Sequence, residues 1–236
     1  MTDKPIAPSL VLLPGLDGTG KMFTRFVAVL GPCIQTQTVV YPVDQCLGYR
    51  ELETRVRAVL PSGGRFVVLG ESFSGPIAIR LAADPPAGLV GLVLCVTFAK
   101  NPYPLLAWAQ PWAAALPVKS LPRWVRAPFM WGASSPDGAP DEADRATAAV
   151  DEAVLRHRIA AVMAADETPA LTLIRVPTLV MRASHDHVIP RASSEYIRQH
   201  LPQAELIEID GPHLLLQSRP SQCAAAISQF VRGLPR

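Results

Sequence analysis

The sequence has little charge and almost no bias in its sign. Of 236 residues 18% are charged, and the net charge is +2. No block of Lys and Arg stands anywhere in it, so the electrostatic footprint expected of a nucleic-acid partner is missing. Cysteine is scarce: Cys33, Cys46, Cys95 and Cys223 lie far apart, with no C-x-x-C pair. That spacing argues against a zinc site or a disulfide framework and fits scattered thiols in a reducing compartment. Long apolar runs are missing too. The longest nearly unbroken run, Ala87 to Ala99, is shorter than the roughly 18–20 residues of a membrane span. Met1-Thr2-Asp3-Lys4-Pro5 has no charged-then-apolar leader pattern. These absences predict a cytoplasmic protein with no nucleic-acid partner and no stable membrane insertion.

What is present in quantity is apolar residues, at 49%, and proline, 24 residues against 15 glycines. A chain of this length buries a core without metal or disulfide staples. Its first hundred residues alternate in type. Apolar runs at Ser9–Leu13, Thr36–Tyr41, Phe66–Leu69 and Leu89–Val96 read as strands. Segments with helical spacing, Met22–Leu30, Tyr49–Leu60 and Phe73–Ala83, lie between them. Strands that are continuously apolar rather than alternating imply a parallel sheet covered on both faces.

The rhythm breaks at Lys100. From there to about Arg175 no convincing buried strand occurs, and Pro102, Pro104, Pro111, Pro117, Pro122, Pro128, Pro136 and Pro140 punctuate the chain. All four tryptophans, Trp108, Trp112, Trp124 and Trp131, fall in this stretch. Asp141–Ala165 reads as one or two polar helices. Alternation then resumes, with strands at Pro177–Met181 and Ala204–Ile209 and helices at Ser193–His200 and Pro220–Val231. The expected fold is therefore α/β, a mostly parallel, doubly wound sheet of about six strands. Its core domain is built from residues 1–99 and 176–236, with a helical insertion at 100–175.

Gly70-Glu71-Ser72-Phe73-Ser74-Gly75 lies between a buried strand and an apolar helix. A serine on a tight strand-to-helix turn projects its hydroxyl above the sheet edge, and the crowded turn requires small residues two before and two after it. Gly70 and Ser74 meet that need. Ser74 as the reactive serine fits less well, because Pro76 and Ser72 then flank it. After the first strand comes Pro14-Gly15-Leu16-Asp17-Gly18-Thr19-Gly20. It lacks the Gly-Lys-Ser/Thr of a phosphate loop and a complete G-x-G-x-x-G.

With these motifs the chain resembles the α/β-hydrolase family over nearly its whole length. In that family the order is nucleophile, acid, histidine. The resemblance implies Ser72 as nucleophile, Asp186 in Ser184-His185-Asp186-His187-Val188-Ile189-Pro190 as the acid, and His213 in Asp210-Gly211-Pro212-His213-Leu214 as the base. An imidazole near its ordinary pKa of about 6.5 accepts the serine proton at neutral pH. A carboxylate on its other nitrogen fixes the tautomer. His185, His187, His157 and His200 read as loop or surface residues. Asp44 and Asp210 are competing acids, whereas the loop Thr97–Asn101, the acid position of some family members, offers no carboxylate. The resemblance also implies an oxyanion hole from the backbone N–H groups of Leu16 and Phe73. Pro14 stands where the family often has His, which leaves the loop's bracing to Asp17 or Thr19. Glu71 reads as a rim residue without a role.

The insertion falls where the family places a cap. Its four tryptophans, Trp108, Trp112, Trp124 and Trp131, are expected to wall an apolar pocket over Ser72. The implied function is hydrolysis of a small-molecule ester or thioester with an apolar moiety through an acyl-enzyme, without a cofactor or metal. Two alternatives accompany it: acyl transfer to an alcohol, which the Leu-Pro-Gly-Leu-Asp-Gly-Thr-Gly loop shares with some plastid acyltransferases of this fold, and a non-catalytic ligand receptor. No feature sets the oligomeric state.

Overall fold

The computed structural model describes residues 7–32, 34–109, 119, 122–132 and 139–235. Six strands form one parallel sheet in the order β2-β1-β3-β4-β5-β6. They are β1 (Ser9–Leu13), β2 (Thr36–Thr38), β3 (Phe66–Glu71), β4 (Leu89–Cys95), β5 (Thr178–His185) and β6 (Glu205–Pro212). Helices α1 (Thr24–Leu30), α2 (Tyr49–Val59), α3 (Gly75–Ala83), α8 (Arg191–His200) and α10 (Pro220–Gly233) supply the crossovers and the closing layer.

The inner strands β1, β3 and β4 and the start of β5 are mostly apolar because each feeds two cores, whereas the edge strands β2 (Thr-Gln-Thr) and β6 carry polar residues. Val11, Leu13, Phe66, Val68, Leu92, Leu94 and Val180 pack under α2, α3 and α8 on one face. Their neighbours Leu10, Leu12, Val67, Leu69, Val93, Cys95, Leu179 and Met181 pack under α1 and α10 on the other. Side chains of successive strand residues point to opposite faces, so covering both removes the polar alternation of a one-sided sheet.

The chain order reverses direction across β1. β2 lies on one side of it and β3 on the other, with Leu13 in register with Gly70. Ligands of open α/β sheets bind outside the carboxyl ends of the strands at such a switch point, where two loops diverge and leave a crevice. Here the loops are Pro14–Gly20 after β1 and the turn at Ser72 after β3. The second strand is shorter than the Thr36–Tyr41 run predicts. Tyr41 leaves the sheet because its N–H bonds the carbonyl of Gly18 in the β1 loop, at 2.8 Å.

Between β4 and β5 the described chain forms a short 3-10 helix (Pro104–Ala109) and four helices. These are α4 (Arg123–Trp131), α5 (Ala139–Ala148), α6 (Glu152–Ala164) and α7 (Thr168–Leu171). The polar stretch predicted from Asp141 to Ala165 is thus two helices. They part at Asp151, whose N–H bonds the carbonyl of Val43 at 2.8 Å and whose own carbonyl accepts from Leu155 at 3.1 Å. The remaining helix, α9 (Leu215–Ser218), lies between β6 and α10. None of the described helices is long and apolar enough to cross a membrane.

Candidate active site

The turn after β3 carries Ser72 at φ 48°. A non-glycine residue there is strained, by about 1–3 kcal/mol, and persists only where its surroundings over-determine it. Here they do. A Cβ on Gly70 would stand 2.7 Å from the Ala78 Cβ and 2.9 Å from the Ser74 carbonyl oxygen. A Cβ on Gly75 would stand 1.9 Å from Thr97 Oγ1. The elbow packs so tightly onto α3 and the β4 loop that only glycine fits at both ends. Thr97 Oγ1 donates to the carbonyl of Ser72 itself. The first turn, Ser72–Ser74, is 3-10 rather than the α-helix that the spacing predicts.

Ser72 Oγ lies 3.0 Å from His213 Nε2. On the other side of the ring, His213 Nδ1 lies 2.9 Å from Asp186 Oδ2 and 3.0 Å from Oδ1. Asp186 is held in turn by the N–H groups of Val188, at 2.8 Å, and Ile189, at 2.7 Å, both donating to Oδ1. With the carboxylate accepting from Nδ1–H, the free lone pair sits on Nε2 and the serine hydroxyl donates to it. His213 and the Asp186 side chain are 3% and 6% exposed. The three residues come from the ends of β3, β5 and β6, which the sheet order alone brings to one edge.

The competing histidines and acids lie elsewhere. His157, His187 and Asp44 are exposed. His185 pairs with Asp210 at 3.1 Å on the surface. His200 bonds the carbonyl of Tyr196 at the end of α8.

Three features that the sequence left unread hold the loop after β1. Ser74 Oγ donates to the carbonyl of Pro14 and accepts from Tyr41 Oη at 2.7 Å. Arg158 on α6, 1% exposed, donates from Nη1 to the carbonyl of Leu16 at 2.7 Å and from Nη2 to that of Pro42 at 2.8 Å. Its guanidinium carbon stands 5.8 Å from the ring centre of Tyr41 and 5.9 Å from that of Phe73. Gly18 makes room for it, since a Cβ there would meet Nη1 at 2.6 Å. Asp17, by contrast, turns back on its own loop and accepts from Thr19 N and Oγ1 at 3.3 and 3.1 Å. Bracing thus comes mainly from across the fold. The signal for Arg158 was its place beside Val154, Leu155 and Val162 at helical spacing, a charge on the apolar face of a helix.

Glu71 is not a rim residue. It ends a strand whose residues are all buried and is itself 3% exposed. Gln217 Nε2 on α9 donates to its Oε1 at 2.9 Å. Burial pushes its carboxyl up to about 7, and the nearby Asp17 carboxyl adds to the rise while Gln217 and His213 oppose it. Burial likewise pushes the Asp17 carboxyl up from its ordinary value, against the bonds from Thr19.

Above Ser72 opens a cavity of about 360 Å³. Gly15, Leu16, Asp17, Glu71, Phe73, His213 and Gln217 line its floor. Met130, Ala143, Ala146, Thr147, Leu155, Ile159, Val162 and Met163, all from the segment between β4 and β5, line its walls with Phe98, Tyr103, Val188 and Ile189. The expected tryptophan wall is not found among the described residues. Trp108 and Trp124 are 73% and 78% exposed. Trp131 is not among the lining residues; it is buried behind Leu214 and Met22, which are. It anchors α4 beside the histidine loop, where the Leu214 N–H bonds the Met130 carbonyl at 3.1 Å. Aliphatic and Met side chains of α5 and α6, with Met130 of α4, take the wall instead. Trp112 lies outside the described residues. No group of three or more side chains able to hold a metal ion is found among the described residues.

The model of the alpha/beta hydrolase family matches residues 10–226. The chain belongs to the alpha/beta hydrolase family. Solved structures repeat this fold. An enol-lactonase from Burkholderia xenovorans is 20% identical with a TM-score of 0.79, over 96% of this chain and 92% of that one. A hydrolase from Pseudomonas aeruginosa is 21% identical with a TM-score of 0.78, over 95% and 90%. A lipase-esterase related protein from Clostridium acetobutylicum is 15% identical with a TM-score of 0.75, over 94% of each chain. At these identities the likeness is one of fold. No curated protein matches the chain.

Proposed function

We propose that this α/β hydrolase cleaves a carboxylic ester or thioester with an apolar moiety, using Ser72 as nucleophile, His213 as general base and then acid, and Asp186 as orienting carboxylate. The observation that carries this reading is the 3.0 Å approach of Ser72 Oγ to His213 Nε2 beneath an apolar cavity, with Asp186 on the opposite ring nitrogen. As Oγ attacks the carbonyl carbon, its proton passes to Nε2. The imidazolium then gives that proton to the leaving alcohol or thiol, whose bond to the carbonyl carbon breaks. Water repeats the sequence on the acyl-enzyme, with His213 taking a proton from the water and returning it to Ser72.

The oxyanion that forms twice in this cycle is assigned to the N–H groups of Leu16 and Phe73, which line the cavity beside Ser72. Such donors contribute roughly 3–4 kcal/mol each when they are held in place beforehand. The bonds from Arg158 to the Leu16 carbonyl and from Ser74 to the Pro14 carbonyl supply that holding. Residues 100–175 act as the cap, because their helices contribute the cavity walls.

A fluorophosphonate probe tests the assignment. Native protein is expected to be labelled and Ser72→Ala to remain unlabelled. Equal labelling of the two sinks the nucleophile assignment.

A further inference from the structure

The cavity floor holds polar groups that ester cleavage does not use, and nearly all of them are acceptors. Gln217 is 2% exposed. Its Nε2 is engaged with Glu71 Oε1 at 2.9 Å, whereas its Oε1 is buried without a partner. Unpaired amide oxygens are uncommon inside proteins, and this one belongs to a side chain that lines the cavity and is fixed by its bond to Glu71. Glu71 Oε2 lies on the side of Gly15, 3.9 Å from where a Cβ would stand on that residue. Asp17 completes the group and is close enough to disfavour ionisation of Glu71. The donors around these oxygens are few: Gln217 Nε2 on Glu71, and Thr19 on Asp17. No Lys or Arg side chain lines the cavity among the described residues. Arg158 spends both its terminal nitrogens on the carbonyls of Leu16 and Pro42.

We propose that Glu71, Gln217 and Asp17 form a second binding subsite beside the nucleophile, which takes a hydrogen-bond-donating group of the substrate, an ammonium or a hydroxyl, and rejects anions. The inference rests on the reading of the Ser72 cavity as the substrate site. Two carboxyl groups and an amide whose N–H is already engaged offer mainly acceptor oxygens, which suit a donating ligand. Two carboxyl groups close together in an apolar cavity disfavour each other's charge, and a cation between them relieves both. A carboxylate or phosphate set against these carboxyl groups is repelled by them, and no Lys or Arg side chain lines the cavity among the described residues to compensate. Specificity of this kind comes from the polar groups that a wrong ligand leaves unsatisfied. The subsite therefore divides neutral and cationic esters from anionic ones, while the apolar walls hold the rest of the chain.

Binding to the full chain carrying Ser72→Ala tests this without turnover. Three probes of equal length, 4-phenylbutylamine, 4-phenylbutanol and 4-phenylbutanoate, are titrated by calorimetry at pH 7.5. The amine or the alcohol is expected to bind at least tenfold tighter than the carboxylate. That preference should shrink fivefold or more when Glu71→Gln or Gln217→Met is added, each checked for folding by circular dichroism. A loss centred on the amine in Glu71→Gln marks an ammonium ligand, and a loss centred on the alcohol in Gln217→Met marks a hydroxyl. Equal or tighter binding of the carboxylate, no binding of any probe, or a preference unchanged in both variants overturns the subsite. A chain that binds the amine in this pattern but fails to label with phosphonate keeps the subsite and loses the hydrolase reading, so the two failures are distinct.

Discussion

Replacing Glu71 by Gln should change how the stability of this protein depends on pH. In the folded chain the Glu71 carboxyl is pushed from its ordinary 4.5 up to about 7, chiefly by burial. Between those values the folded state holds a proton at Glu71 that the unfolded state has released. Stability therefore falls as pH rises through this window and levels off above it. At 1.36 kcal/mol per pKa unit, the rise corresponds to about 3 kcal/mol of stability, present below pH 4.5 and lost by about pH 8. Gln is nearly isosteric, still accepts from Gln217 Nε2, and carries no charge to desolvate. The stability of Glu71→Gln relative to the native chain should thus improve by about 3 kcal/mol between pH 4.5 and pH 8. Urea denaturation at half-unit intervals over that range measures it, and the comparison cancels titration of the histidines common to both chains. Parallel stability curves for the two proteins would refute the reasoning, because they would place Glu71 in contact with water rather than beneath the elbow.

Three further outcomes follow from the site. Arg158→Met keeps the packing of the stem but removes two charge-assisted bonds, each worth about 1.5–3 kcal/mol. It should lower kcat with little change in KM, and an unchanged kcat separates Arg158 from the loop's alignment. Gly75→Ala sets a Cβ into Thr97 Oγ1 and should destabilise the fold by several kcal/mol, in the range of overpacked sites at about 1–3 or more, measured as a fall in Tm; a Tm within 1 °C of native contradicts the tight elbow. Met163→Trp should shorten the longest p-nitrophenyl ester accepted, whereas Trp124→Ala should leave the chain-length profile unchanged; the reverse result restores the tryptophan wall.

Much of the fold was legible because its signals are local. β1, β3 and β4 are apolar on both faces, and the small residues around Ser72 answer to the crowding of one turn. The order of Ser72, Asp186 and His213 was readable only through resemblance to a family, since nothing in their spacing says that they meet. The two helices within Asp141–Ala165 show where local reading ends. Their charges read as a solvated surface, yet Arg158 within them is buried.

The sequence by itself determined a parallel α/β sheet, a tight serine turn and a break in the pattern after β4, because periodicity and turn chemistry act over a few residues. Tertiary structure decided which of the polar residues matter. It gathers the ends of β3, β5 and β6 at one edge, and it brings Arg158 from 142 positions away to the Leu16 carbonyl. It also encloses Glu71 and Gln217 at a cavity floor, and it turns Trp108 and Trp124 outward. Burial and partnership are properties of the packed chain. The same carboxylate is a bland surface charge or a raised acid according to what closes over it.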